Sequence, residues 1–331
     1  MNSTMYRGKL LAVSQDSYDL RSGLLSSLIG DGRPLLALSA VCLMLSGGFA
    51  IFLSATGHFL PHDVHFLGMD KDQLCSINQC RIVHFMFHDR VSFGGALIAI
   101  GWLYLWLSEF PLKAGEAWAW WVFCLSGLGG FGNFLAYLGY GYLDTWHGVA
   151  TLFLLPVYWL GLWFSWRALQ KKNGLKSLLK PAVSPPLRTS FGLGRALLLG
   201  TGFGMMLGGT IITIVGMTQV FVPQDLRYMG LTVHDLQQIN PRLIPLIAHD
   251  RAGFGGAIAT CGLIFFCCVW RGQPSRSLWQ ALALAGGIGF TTAIGVHPII
   301  GYTDLSHLLP AYIGASMFVG GMILCYKPMH R

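Results

Sequence analysis

Charge is what this sequence has least of. Asp, Glu, Lys and Arg make up only 11% of its 331 residues, against 53% hydrophobic, a balance outside the range of soluble domains. Also missing are the segments of about ten alternating residues that a membrane β-barrel needs. The first 33 residues lack a compact apolar stretch followed by small residues, so they are expected to stay on as a cytoplasmic N-terminal segment rather than be cleaved. The eight cysteines form no framework. Cys42, Cys124, Cys261, Cys267, Cys268 and Cys325 fall in apolar runs, where free Cys acts as a small hydrophobe.

What is present is a duplication. Residues 88–96 read H-D-R-V-S-F-G-G-A and residues 249–257 read H-D-R-A-G-F-G-G-A, seven of nine positions identical. Upstream, Pro61, Asp63, Gly68, Leu74, Ile77, Asn78 and Arg81 match Pro223, Asp225, Gly230, Leu236, Ile239, Asn240 and Arg242, with one gap before the arginine. Downstream, Gly141, Tyr142, Asp144 and His147 match Gly301, Tyr302, Asp304 and His307. Polar residues kept in both copies are the first place to look for function. Cys75 and Cys80 flank a turn in the first copy alone, and an oxidising compartment leaves open either a bridge or two free thiols.

A chain of this length and composition has room for about eight spans of roughly 20 residues. Apolar runs place them at 34–55, 83–108, 117–138, 145–167, 193–221, 243–270, 277–296 and 305–326. The expected fold is an all-α integral membrane protein of two tandem, parallel four-helix repeats, residues 34–168 and 193–331, joined by a basic cytoplasmic linker at 169–192. An even number of spans per copy inserts both copies the same way round. Lys and Arg concentrate at the N-terminus, in the linker and at the C-terminus, so both termini are expected in the cytoplasm and both H-D-R motifs outside. The basic excess is then a topology signal, and its partner is the lipid bilayer rather than nucleic acid.

In each copy H-D-R opens the second span and D-x-x-H the fourth, which puts two histidines at similar depth on parallel helices. Ionisable groups held there are expensive, and a functional role is the default reading. Ser92 and Gly95 lie below His88 on its helix face, and Gly253 and Gly256 lie below His249. Such small side chains would leave a flat slot under an imidazole.

Three readings of these residues compete. In the first, His88 with His147 and His249 with His307 ligate haem b, Arg90 and Arg251 meet its propionates, and an aspartate fixes an imidazole tautomer. In the second, His84, His88 and His147 hold zinc or copper, with Asp89 and Asp144 for acid–base work in a metal-dependent hydrolase or a small-molecule transporter. In the third, H-D-R and D-x-x-H are caps and ion pairs that pin helix ends. On the catalytic version of any of these, His88, Asp89 and Asp144 carry the chemistry.

Two four-helix copies, a His pair in each, a cysteine pair in the first outer loop only and an H-R-like element opening the second span together resemble the haem A synthase family. The resemblance covers residues 34–326 at the level of layout. It implies that His88 and His147 handle substrate haem, that His249 and His307 hold a resident haem b, and that Cys75 and Cys80 form an outer disulfide. The sequence departs from that family at Phe85, where a glutamate is usual, and at Asp89 and Asp250, which separate each His from its Arg. The functional expectation is a membrane redox protein, haem-modifying or quinol-linked, with the metal hydrolase or transporter as the alternative. Because His58, His62, His65 and His84 have no histidine counterparts in the second copy, any catalysis is expected mainly in the first half.

Overall fold

The structure, a computed structural model, describes residues 29–133, 142 and 145–330, the side chains of Trp146 and His147 excepted. Among the described residues there are twelve α-helices and no strand. The first copy contributes α1 (Arg33–Ala55), α2 (Pro61–Leu67), α3 (Lys71–Ile77), α4 (Arg81–Leu107), α5 (Ala117–Gly132) and α6 (Thr145–Ala168). The second contributes α7 (Ser190–Met217), α8 (Pro223–Met229), α9 (Val233–Ile239), α10 (Leu243–Arg271), α11 (Arg276–Ile300) and α12 (Leu305–Met329). The order long, short, short, long, long, long occurs twice, as the duplicated sequence requires.

Among the described residues, seven helices are long and apolar enough to cross a membrane: α1, α4 with the π turn that extends it to Leu112, α6, α7, α10, α11 and α12. The expected third span begins where α5 does, but its last residues, 134–138, lie outside the described set. Between the first and second long helices of each copy sit the two short ones, which sequence reading treats only as loop. Their start and stop signals recur. Pro61 and Pro223 occupy the first turns of α2 and α8, and Gly68 and Gly230 end them with φ of 66°. That left-handed conformation costs glycine nothing.

Small residues decide how the long helices meet. A Cβ on Gly47 of α1 would lie 2.4 Å from the carbonyl oxygen of Gly94 on α4, and one on Gly209 of α7 would lie 2.5 Å from that of Gly255 on α10. The duplicated glycines thus bring backbones together, as small residues do in membrane bundles.

The two copies do not stand side by side as separate four-helix units. The central helices α4 and α10 touch each other, and α11 of the second copy packs extensively on α4 of the first, as α5 packs on α10. The short helices are cross-clasped as well. Asn78 donates to the Met229 carbonyl at 2.6 Å and its counterpart Asn240 to the Leu67 carbonyl at 2.7 Å. Arg81 and Arg242 repeat the exchange, donating to the carbonyls of Tyr228 and Phe66. A buried apolar cluster built from both copies, including Leu74, Leu236, Ile82, Leu243 and Tyr302, fills this end of the molecule. We refer to it as the motif end.

Candidate metal centre

Both H-D-R motifs lie in the buried first turns of α4 and α10, and their ionic partners come from both copies. Arg90 donates from Nη1 to Asp63 at 2.7 Å in its own copy and from Nε to Asp250 at 2.8 Å in the other. Arg251 donates from Nη1 to Asp225 in its own copy and from Nε to Asp89 in the other, the latter at 3.3 Å. Tyr142 closes the first set by donating to Asp63, and Tyr302 closes the second by donating to Asp225 at 2.8 Å. With Asp89 and Asp225 fully buried and Arg251 nearly so, this network satisfies charges that would otherwise be prohibitive in an apolar interior.

Each arginine thus pairs with two carboxylates, one from each copy. Outside the spans, burial opposes charge on Asp63, but the Arg90 guanidinium and the Tyr142 hydroxyl outweigh it and hold this carboxyl below its ordinary value. Burial first, and the Asp225 charge next, push the Tyr302 phenol well up, so it remains a neutral donor.

Above this network three histidines converge. His88 comes from the first turns of α4, His297 from the last turn of α11 and His307 from the first turn of α12. Their ligand nitrogens all lie within 4.8 Å of one another. Nε2 of His88 is 3.0 Å from Nε2 of His297, and its Nδ1 is 2.9 Å from Asp89. Local structure sets each position. Gly301, at φ of 75°, ends α11 one turn after His297. Asp304 caps α12 by accepting the His307 amide at 3.1 Å, as the capping reading of D-x-x-H expects. Tyr302, between the two helices, stacks on the His307 ring with centroids 4.5 Å apart and 27° between planes.

This grouping differs from the pairs drawn by copy. His307 lies against His88 of the other copy, at 5.7 Å between centroids, because α11 packs on α4 and α12 packs on α11. His249 sits instead beside Tyr142, at 5.0 Å, with its Nδ1 3.2 Å from Asp250. His84 is outside the triad. Among the described residues its ring nitrogens are not part of the group that meets at His88. Asp144 and the His147 side chain lie outside the described residues. Two of the three histidines belong to the second copy.

The strip below His88 is filled at Gly95 and the one below His249 at Gly256, while Gly253, one turn below His249, lines an open cleft. A Cβ on Gly95 would meet Thr292 of α11, and one on Gly256 would meet Asn133 beyond α5, both at contact distances no real Cβ shows. Gly95 and Gly256 thus receive side chains from the other copy. Cys75 and Cys80 are joined in a disulfide across the turn between α3 and α4, where Gln79 and Cys80 adopt positive φ.

His297 is the residue that sequence reading missed. Its counterpart, position 137, is tyrosine, so the polar residues shared by the two copies do not point to it. A histidine at the very end of an apolar run, followed by Pro298, was the available signal. No family model, curated protein or solved structure matches this chain. The resemblance to the haem A synthase family accordingly rests on layout alone.

Proposed function

We propose that this chain is a membrane metalloprotein in which His88, His297 and His307 hold one transition-metal ion, zinc or copper, at an end of the bundle that faces away from the cytoplasm. The observation that carries the reading is the 3.0 Å between the Nε2 atoms of His88 and His297. With metal–nitrogen bonds of about 2.0–2.1 Å, two imidazoles on adjacent positions of one ion stand about 3 Å apart, whereas two on opposite faces of a haem stand about 4 Å apart with a flat gap between. The separation fits the first arrangement, and Thr292 occupies the strip beneath His88 that a tetrapyrrole would need.

The surrounding residues suit such a centre. Asp89 accepts the Nδ1 proton of His88, which leaves the Nε2 lone pair directed at the shared point, the outer-shell arrangement usual for metal-bound histidine. Arg251 balances the charge of Asp89 so that the carboxylate persists in an apolar interior. Tyr302, held by Asp225, covers one side of the triad and restricts water. An ion bound by three neutral imidazoles keeps a position open and acts as a Lewis acid on water or a carbonyl, so hydrolysis is the reaction class this donor set favours.

The test is metal analysis and an absorption spectrum of the detergent-purified protein. One zinc or copper ion per chain is expected, lost in His297→Ala and in His307→Ala and kept in His84→Ala. A Soret band with sharp reduced α-bands would replace this reading with haem. Failure to take up either metal on reconstitution would remove it.

A further inference from the structure

The segment 169–189, between α6 and α7, is fastened across the end of the bundle opposite the H-D-R motifs. The Trp121 indole at the start of α5 donates to the Asn173 carbonyl at 2.9 Å, and the Trp270 indole at the end of α10 donates to the Leu178 carbonyl at 3.0 Å. Arg271 donates to the Lys180 carbonyl, and the Ala182 amide donates back to the Trp270 carbonyl at 2.9 Å. Tryptophan collects where hydrocarbon meets headgroups, and Trp120, Trp121 and Trp166 pack together at this end. Two indoles therefore hold the segment at headgroup depth.

The charge it presents there has one sign. Arg167, Lys171, Lys172, Lys176, Lys180 and Arg188 are all exposed, and the sequence has no acid between Asp144 and Asp225. Among the described residues the acids at this end are Asp31, Glu109 and Glu116. The ion pairs they form, with Arg33 and Lys113, involve none of the six cations. Arg195 is not part of the patch, because it turns inward and donates to the carbonyls of Val269 and Trp270.

Between the cations stand bare leucines. Leu175 is 49% exposed, Leu179 72% and Leu187 68%. An acidic protein would match the lysines but would leave these leucines without a role at the depth of the tryptophans. A bilayer surface matches both, with phosphates for the cations and the acyl boundary for the leucines.

We infer that residues 167–188 form a docking surface for the headgroups of anionic phospholipids, with the six cations on the phosphates and the three leucines dipped into the acyl boundary. A charge bias that served only to orient the chain during insertion would leave no lipid preference in the finished protein. The inference goes beyond the metal reading and does not depend on it.

The experiment uses the full chain in nanodiscs of phosphatidylcholine, with or without added phosphatidylglycerol. Exposed amines are acetylated in a short pulse by a water-soluble reagent and mapped by mass spectrometry. Phosphatidylglycerol is expected to protect Lys171, Lys172, Lys176 and Lys180 about five-fold, and about 1 M salt should remove that protection. Lys71, at the motif end and 3.0 Å from Asp72, should change by less than about two-fold. From mixed vesicles, the parent should co-purify in mild detergent with an excess of phosphatidylglycerol over its bulk proportion. Lys171→Gln, Lys172→Gln, Lys176→Gln and Lys180→Gln combined should abolish that excess. Absent protection, equal protection at Lys71, or an excess that survives the four substitutions overturns the inference. Protection conferred only by polyglutamate added to phosphatidylcholine nanodiscs would assign the surface to an acidic protein and overturn it as well.

Discussion

Nε of Arg251, in the second copy, lies 3.3 Å from Asp89, in the first, and both side chains are buried. The reciprocal pair, Arg90 with Asp250, is at 2.8 Å. A duplication that merely placed two bundles side by side would have kept each arginine within its own copy. Here each copy supplies charges that only the other neutralises.

Breaking one partner of such a buried pair leaves a charge stranded, at a cost of about 3–5 kcal/mol. Arg251→Ala should therefore lower the unfolding midpoint in detergent sharply, because it strands both Asp89 and Asp225. Arg227→Ala, whose arginine is 67% exposed and 3.4 Å from Asp304, should change stability by less than about 1 kcal/mol. Thermal denaturation of the two variants, followed by loss of soluble monomer, checks the contrast; equal effects would contradict it.

The approach of α1 to α4 makes adjacent glycines unequal. A Cβ at Gly47 runs into the Gly94 carbonyl, while one at Gly48 meets nothing within 4 Å. Gly47→Ala should destabilise by about 1–3 kcal/mol, the range for overpacking, and Gly48→Ala should be close to neutral. The same thermal assay reads both.

Asp63 sets an acid limit. Its carboxyl is held below its ordinary value by Arg90 and Tyr142 against the opposing effect of burial. A depressed carboxylate contributes stability that is fully present above its unfolded pKa of about 3.9 and is lost as pH falls through the lower folded value. Unfolding midpoints measured from neutral pH down to pH of about 3 should fall more steeply in the parent than in Asp63→Asn. Parallel curves would show that Asp63 carries none of the acid sensitivity.

The disulfide at Cys75–Cys80 closes a very short loop, five residues in separation. Chain-entropy arguments give such a loop about 2 kcal/mol. Denatured, unreduced protein should react with maleimide at the six remaining cysteines, and reduction should add two. Cys75→Ser is expected to loosen the turn at Gln79 and to leave the metal uptake proposed for the triad unchanged.

Much of the fold was legible in the residues. Apolar runs located the long helices to within a few positions, since a membrane span announces itself by length, and the matched polar motifs revealed the duplication. The short helices α2, α3, α8 and α9 were not seen, because seven residues carry too little periodicity to separate a helix from a loop. H-D-R marked His88 as part of a site, but its partners were hidden. Which copy a helix leans on depends on contacts such as Thr292 at Gly95, and nothing in the spacing of either copy encodes that. His297 is invisible in the repeat because only one copy carries a histidine at that position.

The cross-copy pairing also has a meaning for synthesis. Asp89 enters the bilayer 162 residues before the arginine that matches it. At ribosomal speeds of about 5–20 residues per second, that is a delay of roughly 8 to 32 s. Throughout that interval the carboxyl of the new helix lacks the Arg251 guanidinium that it meets in the folded chain. The pairing that neutralises it is complete only when the tenth helix is in place.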